Sequence, residues 1–390
     1  MSVQKRNKTV FIGMSGGVDS SVAAHLLKEQ GYEVVGVFLR SYNLDGCEER
    51  DAEDARRVAG HLGIPFYVWD VEKEYKEKVV DYMVRGYAEG ITPNPDVMCN
   101  KEIKFGIFFK RAMDLGADYV ATGHYIRLKD FSSTRFAPPA TRSLVLGNSP
   151  LGNVKRAGRA ESPAGVSEKS FSLYQATDKN KDQSYFLWAL KKEQLKHCLF
   201  PIGDHLKSDV RKIAREAGIP TAEKKDSQGI CFLGKITLSD FLKQHIPARK
   251  GEILNLKGEK VGEHEGVEFY TIGQRHIGAG LRNSSPLAKP YFVADKNIIE
   301  NRLIVAESGE NALHKKEVKL RDLNFLKEVK AGERILARVR YRQPLFEARL
   351  EPEEDSSRLV FGSPQKFVAP GQSAVLYSTS GELLGGGVIV

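Results

Sequence analysis

Between residues 9 and 125 the chain alternates two hydrophobic periods. The runs TVFIGM (9–14), EVVGVFLR (33–40), PFYVWDV (65–71) and ADYVATGHY (117–125) are short and nearly continuously apolar. Such runs suit strands buried on both faces. Between them lie segments with helical spacing. SSVAAHLLKEQG (20–31) ends in glycine, EERDAEDARRVAGHLG (48–63) places Ala55, Val58, Ala59 and Leu62 on one face, and KEIKFGIFFKRAMDLG (101–116) follows the same rule. Strands alternating with helices predict a parallel sheet covered on both faces, with ligands beyond the carboxyl ends of the strands.

The pattern breaks at 130–170, a Ser-, Pro-, Gly- and Arg-rich stretch with little periodicity, which reads as a disordered, mildly basic insertion. Order resumes at KDQSYFLWAL (181–190), and HLKSDVRKIAREAG (205–218) is a helix ending in glycine. Beyond about residue 250 helical spacing vanishes. YTIGQRHIG, PYFVADK, NRLIVAE, RILARVRYR, LFEARL, SAVLYS and LGGGVIV are short β-rich runs between turns, the pattern of a small barrel or sandwich. The expected division is 1–234, 235–308 and 309–390.

Composition changes this picture in three places. No run of about 18 apolar residues occurs, so no membrane span is expected. The start, MSVQKRNKTV, lacks the apolar core of a secretory signal, and the expected location is the cytoplasm. The net charge of +9 suits a polyanionic partner. The four cysteines, Cys47, Cys99, Cys198 and Cys231, form no CxxC pair, which argues against a zinc site and a disulfide scaffold. Cys198 sits among apolar residues and reads as packing; Cys47 lies on an acidic loop that disfavours the thiolate.

Strand, turn and helix meet in FIGMSGGVDSSVAAHLL (11–27). It lacks the lysine of a GxxxxGK[ST] loop and the spacing of GxGxxG. What remains is Ser15-Gly16-Gly17-Val18-Asp19-Ser20 at a helix start. Backbone N–H groups and the helix dipole would hold an anion there, with Ser15 and Ser20 as hydroxyl donors. Asp19 beside phosphate calls for a bridging Mg²⁺. The pattern resembles the loop of ATP pyrophosphatases, which implies cleavage of ATP between the α and β phosphates. Such enzymes aminate, ligate or thiolate, and the loop alone does not choose.

Two cysteine motifs bear on that choice. In TPNPDVMCNKEIKFG (92–106) two prolines form a stiff turn, followed by Asp96 and, three residues on, Cys99, just before a helix expected from about Asn100. A thiol at a helix start is more thiolate-like. In DSQGICFLG (226–234) Cys231 lies on a glycine-flanked, mobile-looking stretch. Two such thiols beside an ATP-activating loop suggest sulfur handling. The competing readings are an aminating synthetase, which has no use for paired cysteines, and a tRNA-binding protein with an unused nucleotide fold, which would bind tRNA without turning ATP over to AMP.

GMSGGVDSSV, NPDVMCNKEIKFG, ATGHY, KDQSYFL, DSQGICFLG, YTIGQR, RYRQ and GQSAVLY occur in the order of the tRNA-specific 2-thiouridylases, which the chain resembles over nearly its whole length. The resemblance implies an adenine nucleotide α-hydrolase-like α/β domain, a small central domain and a C-terminal β-barrel that binds tRNA. ATP would lie at Gly13, Met14, Ser15, Gly16, Gly17, Val18, Asp19 and Ser20, with Leu39 and Gly123 completing the nucleoside contacts. Asn94, Pro95 and Asp96 would contact a flipped wobble uridine. Cys231 would carry a persulfide loaded by a cysteine desulfurase or sulfur-relay protein. Cys99 would resolve it through a Cys99–Cys231 disulfide, with Asp96 as acid/base. His124, Lys181, Asp182, Gln183, Arg340, Tyr341 and Gln372 would contact the RNA, and the family favours a monomer. From the residues themselves, Arg338, Arg340 and Arg342 alternate and are expected on one strand face as a basic ridge. The 130–170 insertion is longer than the connection expected there.

Overall fold

The computed structural model describes residues 7–44, 46–130, 171–226, 229–234, 236–277 and 289–390. The expected insertion therefore lies, from 131 on, outside the described residues. Five strands form the first sheet: β1 (Thr9–Gly13), β2 (Glu33–Arg40), β3 (Phe66–Asp70), β4 (Tyr119–Thr122) and β7 (Cys198–Leu199). Their order is β3-β2-β1-β4-β7 and every pair is parallel. The order reverses direction between β1 and β4, so the crevice for a ligand opens where those two strands end. β5 (Ile126–Asp130) and β6 (Phe171–Gln175) pair antiparallel, with Asp130 opposite Phe171. That hairpin fixes the geometry on both sides of the insertion.

Helix α1 (Val18–Glu29) buries Val22, Ala23 and Leu27, and α2 (Cys47–Leu62) buries Ala55, Val58, Ala59 and Leu62, in one cluster with Val10, Ile12 and Val34. Full burial of each Val or Leu contributes about 1.5–3 kcal/mol; a charge at Val58 would break the α2 contact. Gly63 caps α2 at φ 63°, where its missing Cβ removes the left-handed penalty. The chain is also helical over 72–88 and 95–114.

Beyond the first sheet, β8 (Gly251–Leu254), β9 (Lys260–His264), β10 (Tyr291–Asn297) and β11 (Arg302–Glu307) form a sheet of order β10-β11-β8-β9. Then β12 (His314–Phe325), β13 (Arg334–Arg338), β14 (Phe346–Pro352), β15 (Ser357–Lys366), β16 (Ser373–Tyr377) and β17 (Leu383–Ile389) close into a barrel. Closure removes the exposed edges of these strands. The YTIGQRHIG run, expected as a strand, is instead a loop over its described residues 270–277: Gly273 turns at φ 83° and Gln274 Oε1 accepts from Thr271 N at 3.1 Å.

Candidate active site

The glycine loop leaves β1 at the crevice. Gly13 stands opposite Thr122 at the end of β4. Gly16 adopts φ 70°, and a Cβ there would lie 2.2 Å from Asp51 O. A Cβ on Gly123 would lie 2.6 Å from Ser20 N. Both positions therefore require glycine. The first bond inside α1 runs from Ser21 N to Gly17 O, which leaves the N–H groups of Val18, Asp19 and Ser20 without intrahelical acceptors. Ser20 Oγ accepts from Ser15 N at 3.1 Å and lies 3.2 Å from Ser15 Oγ, so the hydroxyls brace the loop. Met14 and Val18 are buried and offer only backbone. The result is a concave, donor-lined turn that suits pyrophosphate.

Asp19 is already matched. Lys207 Nζ donates to Oδ1 and Oδ2 at 2.7 and 2.9 Å, and Tyr125 Oη donates to Oδ1 at 2.8 Å. Burial, then the Asp19 charge, pushes the Tyr125 hydroxyl up, which keeps it a donor. Lys207 and Tyr125 thus balance Asp19 in this structure. Lys207 also reaches Asp226 Oδ1 at 2.8 Å. Asp226 takes further bonds from Lys181 (2.6 Å) and Arg211 (2.9 Å). Burial alone would raise this carboxyl, but hydrogen bonds from Lys181 and Lys207 outweigh it and hold Asp226 at about 2. Asp226 opens the segment that leads to Cys231.

The 92–106 stretch corrects one expectation. The helix begins at Pro95, not near Asn100, and runs to 114, with wider hydrogen-bond spacing over Cys99–Phe108. Pro95 sits at the first helical position, where a missing N–H costs nothing, and Asn94 Oδ1 caps the turn by accepting from Val97 N at 3.2 Å. Cys99 is therefore within the helix and only 7% exposed; the first-turn dipole acts on Asp96. Asn94 and Pro95 are buried, leaving Asp96 as the partly open member of that trio. Burial raises the Asp96 carboxyl, with Lys104 opposing. The barrel holds this turn in place: Gln372 Nε2 donates to Thr92 O at 2.9 Å, and Thr92 N donates to Pro370 O at 2.7 Å. Gln372 thus braces the loop that was expected to meet RNA beside it.

One apolar cluster joins the two cysteine motifs. Cys99 packs among Tyr75, Ile103, Phe232 and Leu233, with Leu39, Met98 and Ile230 against them. The neighbours of Cys231 on both sides thereby enter the cluster that holds Cys99. Cys198, by contrast, lies in β7, where burial pushes its thiol up, in keeping with packing.

The expected RNA-contacting residues divide. Gln183 Oε1 accepts from Tyr125 N at 2.9 Å, and Lys181 is half-buried on Asp226. Tyr341 lies 4.4 Å from the Phe186 ring, centroid to centroid. His124 and Asp182 are buried, so they support the surface from beneath. His124 Nδ1 pairs with Thr122 Oγ1 at 2.8 Å; burial, then Lys104, holds the ring neutral. Asp182 is 2% exposed and bonded by Arg338 at 2.6 Å. The basic ridge does not form. β13 ends at Arg338, which is buried on Asp182 and Tyr377; Arg340 Nη2 donates to Ile272 O at 2.7 Å; Arg342 turns away at φ 63°. The period-2 argument fails because the strand stops before the second arginine.

Sequence reading missed Lys207, Lys104 and Tyr125. The usable signal was Asp19 itself, a carboxylate at an anion site that demands a cation from elsewhere in the chain.

A glycine turn at a sheet's switch point, with a carboxylate and a thiol on the helix beside it, fits a nucleotide-binding fold of the pyrophosphate-loop type. A family model described as tRNA methyl transferase HUP domain matches residues 8–235, one described as tRNA methyl transferase PRC-barrel domain matches 239–307, and one described as aminomethyltransferase beta-barrel domain matches 315–389. The tRNA-specific 2-thiouridylase MnmA of Geobacillus thermodenitrificans is 43% identical over 391 residues, covering 97% of this chain and 94% of that one. The proteins of the same name from Staphylococcus saprophyticus and Listeria monocytogenes are each 41% identical, covering 100% of this chain and 96% of theirs. The chain belongs to the tRNA-specific 2-thiouridylases, a family of ATP-binding tRNA sulfurtransferases.

Proposed function

We propose that the protein replaces the 2-oxygen of the wobble uridine of tRNA anticodons with sulfur, in two steps fuelled by ATP. The uridine 2-oxygen attacks the α-phosphorus, the bond to the α,β-bridging oxygen breaks, and pyrophosphate leaves with the electron pair. Sulfur then attacks C2 and the C2–O bond breaks, so AMP departs with the original oxygen. The sulfur is the outer atom of a persulfide on Cys231. Cys99 attacks the inner sulfur, leaving a Cys99–Cys231 disulfide that an external thiol reduces. A cysteine desulfurase or relay protein reloads Cys231.

The observation that carries this reading is the shared cluster of Cys99, Leu39, Ile230, Phe232 and Leu233. It supports two thiols acting on one nucleotide-activated base. Asp96, with its raised carboxyl, is suited to take the N3 proton as the 2-oxygen becomes nucleophilic and to return it later. The α1 N–H groups and Gly16–Gly17 would hold pyrophosphate, with Leu39 and Gly123 against the nucleoside. Mg²⁺ would neutralise phosphate charge. Asp19 offers it one carboxylate beside the phosphate oxygens. The tRNA would lie across Lys181, Gln183, Arg340 and Tyr341, with the chain as a monomer in the cytoplasm and the barrel of the 309–390 unit behind the anticodon. No described helix is long and apolar enough to cross a membrane.

The test is ATP turnover with Mg²⁺ and defined tRNAs. AMP and pyrophosphate should form with a tRNA bearing a wobble uridine and fall to background with cytidine at that position. AMP formation indifferent to the wobble base would overturn the choice of acceptor.

A further inference from the structure

The YTIGQRHIG run takes no part in the chemistry above, yet its described residues form a loop held from three directions. From within, Thr271 N donates to Gln274 Oε1 at 3.1 Å, and Gln274 Nε2 donates to His276 O at 2.8 Å. From β10, Val293 N donates to Gln274 O at 3.0 Å, Val293 O accepts from Gly273 N at 2.8 Å, and Lys296 Nζ donates to Tyr270 O at 2.7 Å. From the barrel, Arg340 Nη2 donates to Ile272 O at 2.7 Å, and a Cβ on Gly273 would lie 2.4 Å from Phe367 Cβ. The loop also meets the turn that precedes Asp96, where Thr92 Oγ1 donates to Thr271 Oγ1 at 3.3 Å. Thr271 and Gln274 thus shape and seat the loop. Arg275 does neither. It is exposed, and it makes no ion pair or hydrogen bond with any described residue.

We propose that the 270–277 loop is a fixed arm that presents Arg275 to the tRNA backbone, on a phosphate of the anticodon loop next to the wobble nucleotide. This role rests on the reading that places the wobble uridine beside Asp96. A base turned out of its stack into that site leaves its sugar and phosphates outside, where the surface next to the turn is this loop. A loop already fixed by its own bonds loses little freedom when it meets a ligand. The guanidinium fork matches phosphate oxygens in pairs. No Asp or Glu lies within 270–277 to compete for it. Arg340, also expected to meet the RNA, gives one donor to Ile272 O and is half-buried, whereas Arg275 has every donor free of the described residues. A phosphate contact carries no base information, so Arg275 sets the register of the anticodon arm and leaves the choice of base to the turn.

The test is fluorescence anisotropy of unmodified anticodon stem-loop RNAs, with uridine or cytidine at the wobble position, titrated with the full chain over a range of salt. Arg275→Ala should weaken binding about 5- to 20-fold and make the slope of log affinity against log salt shallower by about one. Both RNAs should lose affinity by the same factor, within about twofold, because a phosphate is read without regard to base. Arg275→Lys should restore the slope. The thermal midpoint should stay at the wild-type value, as for an exposed side chain without partners. An unchanged affinity and slope would overturn the role. So would a loss confined to the uridine RNA, which would mark a base contact, or a loss seen with full-length tRNA and absent from the stem-loop, which would put Arg275 on another part of the RNA. The wobble-uridine reading is judged on wild type, which should prefer the uridine stem-loop. The Arg275 role is judged on the variant, so the two fail separately.

Discussion

At the glycine loop, two carboxylates and three cations meet on the rim of an open crevice: Asp19 and Asp226 with Lys207, Lys181 and Arg211. At the junction with the barrel, one carboxylate and one guanidinium meet in the interior: Asp182 and Arg338, with Ser184 Oγ bonded to both and Tyr377 Oη accepting from Arg338 Nη2. Members of both sets, Asp19 and Lys181 at the rim and Asp182 and Arg338 in the interior, were expected from the sequence as ligand contacts. The rim set keeps 13–32% side-chain exposure and can exchange partners, as a binding site must. The interior set is buried and lacks that freedom; it fastens the barrel to the 182–188 segment between β6 and β7, together with Trp188 Nε1 donating to Ser373 Oγ at 3.0 Å. Charge next to a ligand site therefore has two uses, and burial decides between them.

That contrast can be broken in several ways. The largest effect is expected at the rim: Gly123→Ala should drive a methyl into the Asp19–Ser20 backbone, abolish ATP turnover and lower the thermal midpoint, because the atoms that must shift are backbone. Turnover within a factor of a few of wild type would mean the loop tolerates displacement. At the junction, Asp182→Ala leaves Arg338 buried without its partner and should cost about 3–5 kcal/mol in urea unfolding. The double change Asp182→Leu, Arg338→Met should recover much of it. If the single change were neutral, the pair would not be the fastener.

A smaller effect is expected from acid. The folded Asp226 carboxyl is depressed to about 2, below its unfolded value. Its stabilisation, about 2 kcal/mol, is complete above about pH 4 and is lost as pH falls through about 2. Asp226→Asn should remove that part of the acid dependence of unfolding. The smallest effect is at Arg340. Arg340→Ala should weaken tRNA binding and make the slope of log affinity against log salt shallower by about one. An unchanged slope would leave Arg340 as a brace on Ile272 alone.

The same contrast explains what the sequence could show. β2 and α2 were legible because continuous and helical apolar periods record burial directly. The glycine loop was legible because its chemistry lies within six consecutive residues. The start of the 95–114 helix was misread because Pro-Asn-Pro suggests a rigid turn, whereas Pro95 at the first helical position favours the helix. β7 has only two residues, too few for a period. Arg338 and Asp182 are 156 residues apart, and Lys207 and Asp19 are 188 apart. No local pattern records such pairings; they arise only when the sheet and barrel are assembled.

The central claim is that two thiols from separate motifs act on one activated base. Unmodified tRNA with a wobble uridine, ATP, Mg²⁺ and a sulfur donor would be incubated with wild type, Cys99→Ser, Cys231→Ser and Cys198→Ser, and the nucleosides weighed by mass spectrometry. The account predicts 2-thiouridine from wild type and Cys198→Ser, and none above background from the other two. Full 2-thiouridine formation by Cys99→Ser or Cys231→Ser would contradict it.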